Sequence, residues 1–308
     1  MENYSEKLAR ILAASGWSQE TLSDKLGVSF VTLNKWVNNK TEPRDKAKER
    51  IDVLFAEILG TDTLEKTEVV RVKRLATGKK LSINKLLANR ELLDQMTVHL
   101  TYHSNATEGS TMTEGDVEAV IFDHKVLRNR TAIEQREAIN HQTALNFLLD
   151  ELQDQGKNFT VTPELVKAVH LRLMNGIITN SGEYRNHGAR IRGAHVPLAN
   201  FIKIPTLMTR WCQQVNEETT DPIAMLAITH AEFERIHPFS DGNGRTGRLL
   251  LFVLALRAGL VPPIIRKERR IAYYKYLELC QTRELSDPLE KFIAEAIIET
   301  SDLAEDVV

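Results

Sequence analysis

Apolar residues along this chain recur at three- and four-residue steps, the period of helices that bury one face. Leu8, Ile11 and Leu12 line one such face near the N-terminus. Ile223, Leu226, Ala227 and Phe233 line another within PIAMLAITHAEFERI, with His230 and Glu234 on the same stripe. The run LLLFVLAL at 249–256 is apolar on every side and bracketed by Arg248 and Arg257. It is far short of a membrane span and reads as a buried core helix. From about residue 96 to 300 helix follows helix, without the strand and helix alternation that builds a parallel sheet. One stretch departs from the pattern: in GEYRNHGARIRGAHVPL, 182–198, two short extended runs flank Gly193-Ala194 and predict a hairpin. The fold class expected is mainly α, with that small hairpin and an N-terminal helix-turn-helix bundle.

The N-terminal pattern is specific. SQETLSDKLGVSFVTLNKWVNNKTEP supplies two helices around a tight turn at Gly27, with Ser18 and Ser29 placed to cap them. Gly16-Trp17-Ser18-Gln19, Gly27-Val28-Ser29 and Trp36 resemble the Cro and lambda-repressor-like family. The resemblance implies that the helix from Phe30 to Val37 enters a major groove, with Ser29, Thr32, Asn34 and Lys35 as the DNA contact candidates. Basic and acidic residues cancel over 1–58, however, where DNA affinity normally rests on a net positive face. A helical docking module is therefore the alternative to DNA as a partner. The domains expected are 1–58 for the helix-turn-helix, 59–99 for a basic helical linker, 100–300 for a second domain and 301–308 for a tail.

Composition narrows little. The 308 residues carry a net charge of −2 and 42% hydrophobic residues, an ordinary globular balance. Cys212 and Cys280 stand far apart and outside any metal-ligand pattern, which predicts buried or half-buried thiols. The start, MENYSEKLAR, lacks the apolar core of a signal peptide, so a cytoplasmic location and no membrane partner are expected.

The chemistry concentrates in HPFSDGNGRTGR, 237–248. Its Gly242, Gly244 and Gly247 match G-x-G-x-x-G, but a helix leads into them where a dinucleotide site needs a strand. Pro238 ends the first helix, which places His237 at the mouth of the loop. Asp241 is a loop carboxylate suited to a hard cation such as Mg²⁺. Gly242 and Gly244 let backbone approach a ligand where the next helix presents free N–H groups, an anion cradle. Arg245 and Arg248 lie three apart on one face and form a phosphate clamp. A base, a metal carboxylate, an anion cradle and a phosphate clamp together point to nucleotidyl transfer. His230, two turns before His237, reads as a buried structural histidine.

This string resembles the Fic domain motif, H-P-F-x-D/E-G-N-G-R-x-x-R, at every specified position, and Gly182-Glu183-Tyr184-Arg185 resembles the element that precedes the family's hairpin flap. The resemblance runs over about 100–300. It implies transfer of AMP from ATP to a Tyr, Thr or Ser hydroxyl of a target protein, the chain itself being one candidate. His237 would take the hydroxyl proton, Asp241 would hold Mg²⁺, Gly242, Asn243 and Gly244 would hold the α-phosphate, and Arg245 and Arg248 the outer phosphates. The flap, Arg190, Ile191, Arg192, Gly193, Ala194, His195 and Val196, would dock the target by strand addition. Ser104, Glu108 and Gly109 in HSNATEGSTMT match the family's inhibitory signature S/T-x-x-x-E-G/N, implying that Glu108 competes for Arg248. The alternative is a nucleotide-responsive transcription regulator whose Fic domain only senses nucleotide. A homodimer is among the assemblies left open.

Overall fold

The first helices follow from their caps. In the computed structural model, residues 3–59, 66–190 and 196–305 are described. Two compact units divide the chain, Met1–Leu64 with Glu268–Tyr276, and Glu65–Lys267 with Leu277–Val308. In the first, α1 (Tyr4–Ser15) starts at Asn3, whose side chain and Glu6 cap each other's backbone amides. Ser18 and Ser29 cap α2 (Gln19–Leu26) and α3 (Phe30–Val37), as expected, and Gly27 turns between them at φ +63°. With α4 (Asp45–Leu59) these helices enclose Leu8, Ile11, Leu22, Leu26, Leu33, Trp36, Ile51 and Ile58, and Ile271 packs on the same core.

The second unit begins with α5 (Lys66–Gly78), which buries Val69, Val72 and Ala76 and packs along the C-terminal helix Asp287–Glu305. Within the basic stretch read as a linker, Lys73 is a half-buried cation, bridged to Asp221 and Glu290. Then come α6 (Ile83–Ala88), α7 (Arg90–Thr107) and α8 (Glu114–Ile121). The 24-residue α9 (Ala132–Gln155) packs against α7, α8, α10 (Pro163–Leu173) and α13 (Asn243–Arg257). Between the last two lie α11 (Ile204–Asn216) and α12 (Pro222–Ile236). Of the flap, Arg190 is exposed and Val196 buried, while Ile191, Arg192, Gly193, Ala194 and His195 lie outside the described residues.

Helix α13 is the core element that the apolar run predicts: Leu249 through Leu256 are all buried. It crosses α12 at Gly247, where a Cβ would meet Glu234 Oε1 at 2.5 Å and Phe233 Cδ1 at 3.1 Å. Gly247 is thus a packing residue. Gly247→Ala is expected to lower stability by about 1–3 kcal/mol, measured as the urea midpoint, since the buried neighbours have little room to yield.

Candidate active site

His237 ends α12 in the left-handed conformation, φ +51° and ψ +61°, which few non-glycine residues adopt. Its amide still closes the last turn on the Phe233 carbonyl. Its Nδ1 stands 3.3 Å from the Glu234 carbonyl, an acceptor only, so Nδ1 carries the proton and Nε2 the lone pair. Burial, the largest influence, lowers the His237 pKa, the Arg185 cation lowers it further, and the Glu234 carbonyl bond, Glu108 and Asp241 act in the opposite direction. The imidazole is neutral at pH 7.

Asn243 folds the loop. Its Oδ1 accepts from the Phe239 amide at 2.8 Å and its Nδ2 donates to the Phe239 carbonyl at 2.9 Å. Gly242, at φ +75°, starts α13, whose first intrahelical bond runs from Thr246 N–H to the Gly242 carbonyl. Such a helix start offers its earlier amides to an anion. Asp241 is the exposed carboxylate of the loop. Its Oδ1 accepts from the Gly242 amide at 2.6 Å.

The two arginines are buried and bond different side chains. Arg245 Nη1 pairs with Glu137 Oε1 of α9 at 2.5 Å, and its Nη2 lies 3.6 Å from Asp241 Oδ1. Arg248 Nε donates to Ser104 Oγ at 2.9 Å, and Nη2 donates to the Ser104 carbonyl at 3.0 Å and to Glu108 Oε1 at 2.6 Å. Glu108 caps α7, followed by Gly109 at φ +107°, so the helix stops where the carboxylate meets the guanidinium. The same carboxylate crowds Gly244, where a Cβ would collide with Glu108 Oε1.

Several residues around the loop carry no local signal in the sequence. Glu137 is one. His170 is another: its Nδ1 accepts from the Gly182 amide, so its Nε2 donates to the Asp241 carbonyl, both at 2.9 Å, and its ring stacks on Phe239 at 3.7 Å. Glu234, which the helical period already put on the apolar stripe, is a buried carboxyl whose pKa desolvation pushes up to about 7. His99, His103 and Glu114 bring three donor atoms within 4.8 Å. The Lys267 amide donates to His103 Nδ1 at 3.3 Å, however, which puts the neutral ring's proton on Nε2, the atom facing Glu114. That set is read as a polar contact and not as a metal centre.

Burial depresses the pKa of His103, His141 and His230 to about 3 and of His170 to about 4. Unfolded, these imidazoles take protons near pH 6.5; folded, they do not until far lower. Each therefore lowers stability as pH falls below 6.5. The raised Glu234 carboxyl opposes one of the four, because the folded state holds its proton between about 4.5 and 7. A steep loss of the urea midpoint between pH 6.5 and 4.5 is expected, and a flat profile would contradict the buried neutral imidazoles.

With that geometry in place, residues 160–255 match the Fic/DOC family and residues 7–47 match a helix-turn-helix family. The chain carries a Fic domain. A helix-turn-helix domain stands ahead of it. The protein adenylyltransferase Fic of Drosophila melanogaster is 29% identical over 205 residues, 66% of this chain and 41% of that protein. The protein of the same name from Nematostella vectensis is 31% identical over 204 residues, 65% of this chain and 47% of that protein. The chain thus spans less than half the length of these curated relatives. A Fic domain containing signaling protein from Bacteroides thetaiotaomicron superposes with a TM-score of 0.65 at 22% identity, covering 78% of this chain and 97% of that one. Residues 134–508 of Fic-1 from C. elegans superpose with a TM-score of 0.66 at 20% identity, covering 99% and 89%. Both support a Fic fold, as the motif predicts. Among the described residues no helix is long and apolar enough to cross a membrane.

Proposed function

We propose that the Fic domain is a protein adenylyltransferase: a target hydroxyl attacks the α-phosphorus of ATP, its proton passes to His237 Nε2, and pyrophosphate leaves. The observation that carries this reading is the free Nε2 of a neutral imidazole beside the helix start at Gly242–Gly244, a base next to an anion cradle. The adenylyltransferase names of the relatives from Drosophila melanogaster and Nematostella vectensis support it. Asp241 fits Mg²⁺ as an exposed hard-oxygen donor beside the cradle, and the bound ion would offset phosphate charge. Asn243 acts by holding the loop whose amides face the α-phosphate. Arg245 serves through Glu137 and Asp241, fixing the carboxylate edge of the cradle, while Arg248 is the outer-phosphate residue that Glu108, beside Ser104, contests. The segment 190–196, of which 191–195 lie outside the described residues, is the proposed docking segment for the target.

The N-terminal unit supports a second role. Thr32 and Lys35 stand on the outer side of α3 beside Phe30 and Val31, which are 45% and 61% exposed. Asn34 Nδ2 donates to Gln19 Oε1, and Ser29 is spent on the cap. We assign DNA contact to this face. A gel-shift titration with random-sequence duplex at low salt checks it: retardation lost in Lys35→Glu is expected, and no retardation of the parent chain would remove the role.

The transfer itself is tested with labelled ATP, Mg²⁺ and a cell extract, in the Glu108→Gly background. Labelled protein is expected, and none would sink the reading.

A further inference from the structure

The turn ahead of the flap grips the His237 loop at several points. Asn180 Nδ2 donates to Ser240 Oγ at 2.8 Å, and His170 ties the Gly182 amide to the Asp241 carbonyl. Arg185 does most. Its amide donates to the Pro238 carbonyl at 2.9 Å, and its guanidinium donates from Nε to the His237 carbonyl at 2.7 Å and from Nη2 to the Ile236 carbonyl at 3.4 Å. The other contacts reach the carbonyls of His187 and Ala199, both at 2.6 Å, one on each side of residues 190–196.

Only 2% of Arg185 is exposed, and among the described residues no carboxylate pairs with it. A buried cation without a counter-ion is costly unless something else compensates its charge. Here the compensation comes from carbonyls, two of them at the C-terminal end of α12, where the helix dipole is negative. The same end holds His237 in a left-handed turn, which costs a non-glycine residue about 1–2 kcal/mol. Arg185 therefore spends its hydrogen bonds on the least favoured backbone in the loop.

We propose that Arg185 is a positioning residue for transfer: by fixing the His237 carbonyl it holds the turn that aims the imidazole, and through His187 and Ala199 it ties both flanks of the flap to that frame. The role rests on the adenylyltransferase reading. It acts through His237 and touches no phosphate group. The charged groups facing His237 are Arg185 from this turn, Glu108 from the end of α7 and Asp241 from the loop itself. Arg185 is the cation among them, so its charge favours the neutral, proton-accepting ring.

The full chain carrying Glu108→Gly is compared with the same chain also carrying Arg185→Gln or Arg185→Lys. A shift of the base by about 1 Å can cost about a hundredfold in rate. The glutamine variant is expected to lose tenfold to a hundredfold in kcat while calorimetric ATP affinity stays within about twofold. Lysine, which keeps the charge and can reach one or two of the carbonyls, is expected to recover part of the loss. Titrating the His237 ring by NMR gives a readout that needs no transfer: its pKa is expected to rise in Arg185→Gln and to return towards the parent value in Arg185→Lys. Unchanged kcat in a folded Arg185→Gln chain overturns the proposal, as does an unmoved His237 titration. Should the glutamine variant fail to fold, an Arg185→Lys chain with full kcat overturns it too. If the Glu108→Gly parent transfers no AMP, the adenylyltransferase reading falls, and the His237 titration alone decides whether Arg185 holds the ring.

Discussion

His237→Ala is expected to abolish AMP incorporation, a loss of about 10² to 10⁴ in rate, while ATP affinity is retained. The size follows from removing a general base from the reacting hydroxyl. The Glu234 carbonyl occupies Nδ1, leaving Nε2 as the only ring atom able to take the proton. In the proposed reaction phosphate affinity rests on other groups, the α13 amides and Arg248, so binding and chemistry should separate. The base is lost only when the ring protonates, and burial holds that below the ordinary histidine range. The rate of the released enzyme should therefore be flat in this group above about pH 6.5 and fall on the acid side. Labelled ATP, quantified on a gel across pH 5.5 to 8, measures both. Labelling that survives His237→Ala would favour the regulator reading, in which ATP alters DNA retardation and the histidine is dispensable.

Glu108→Gly is expected to raise AMP incorporation by tenfold to a hundredfold. The substitution removes a charge-assisted bond of 2.6 Å between Glu108 and Arg248 and clears the carboxylate that crowds Gly244. It leaves the two Ser104 contacts in place, so the guanidinium keeps its position while gaining room for an outer phosphate. Glu108 is 35% exposed at a helix end, but Arg248 is 2% exposed and loses this carboxylate, so the melting temperature should fall. Equal or lower labelling, with ATP binding intact, would show that the carboxylate is not a brake.

Sequence reading reached what is local. The caps at Ser18 and Ser29, the buried run at 249–256 and the loop between α12 and α13 are written in neighbouring residues, where period, capping and glycine act over a few positions. The pairing of Arg248 with Ser104 and Glu108 spans about 140 residues and was reachable only through a family likeness. Glu137 and His170 were not reachable at all, and Arg185 only as the last residue of the family's pre-flap element, without its partners. Each acts on backbone carbonyls or on a distant arginine, and a residue that bonds backbone leaves no complementary side chain to betray it. Arg245 shows the same effect: beside Arg248 it reads as half of a clamp, yet a glutamate from another helix claims it. The basic stretch after residue 59 misleads likewise, since Lys73 finds its carboxylates on α12's cap and on the C-terminal helix.

The anchoring of Arg248 by a main-chain carbonyl at Ser104 has a consequence for regulation. Main chain cannot be mutated away, so one grip on the arginine persists in every variant of α7, whereas the Glu108 grip is a single removable side chain. On the proposed reading of Glu108 as a brake, restraint can be graded through the length and charge of the residue at 108 without dismantling the proposed nucleotide receptor. The molecule would then work as a dimmer: the wiring stays fixed and only the resistance changes.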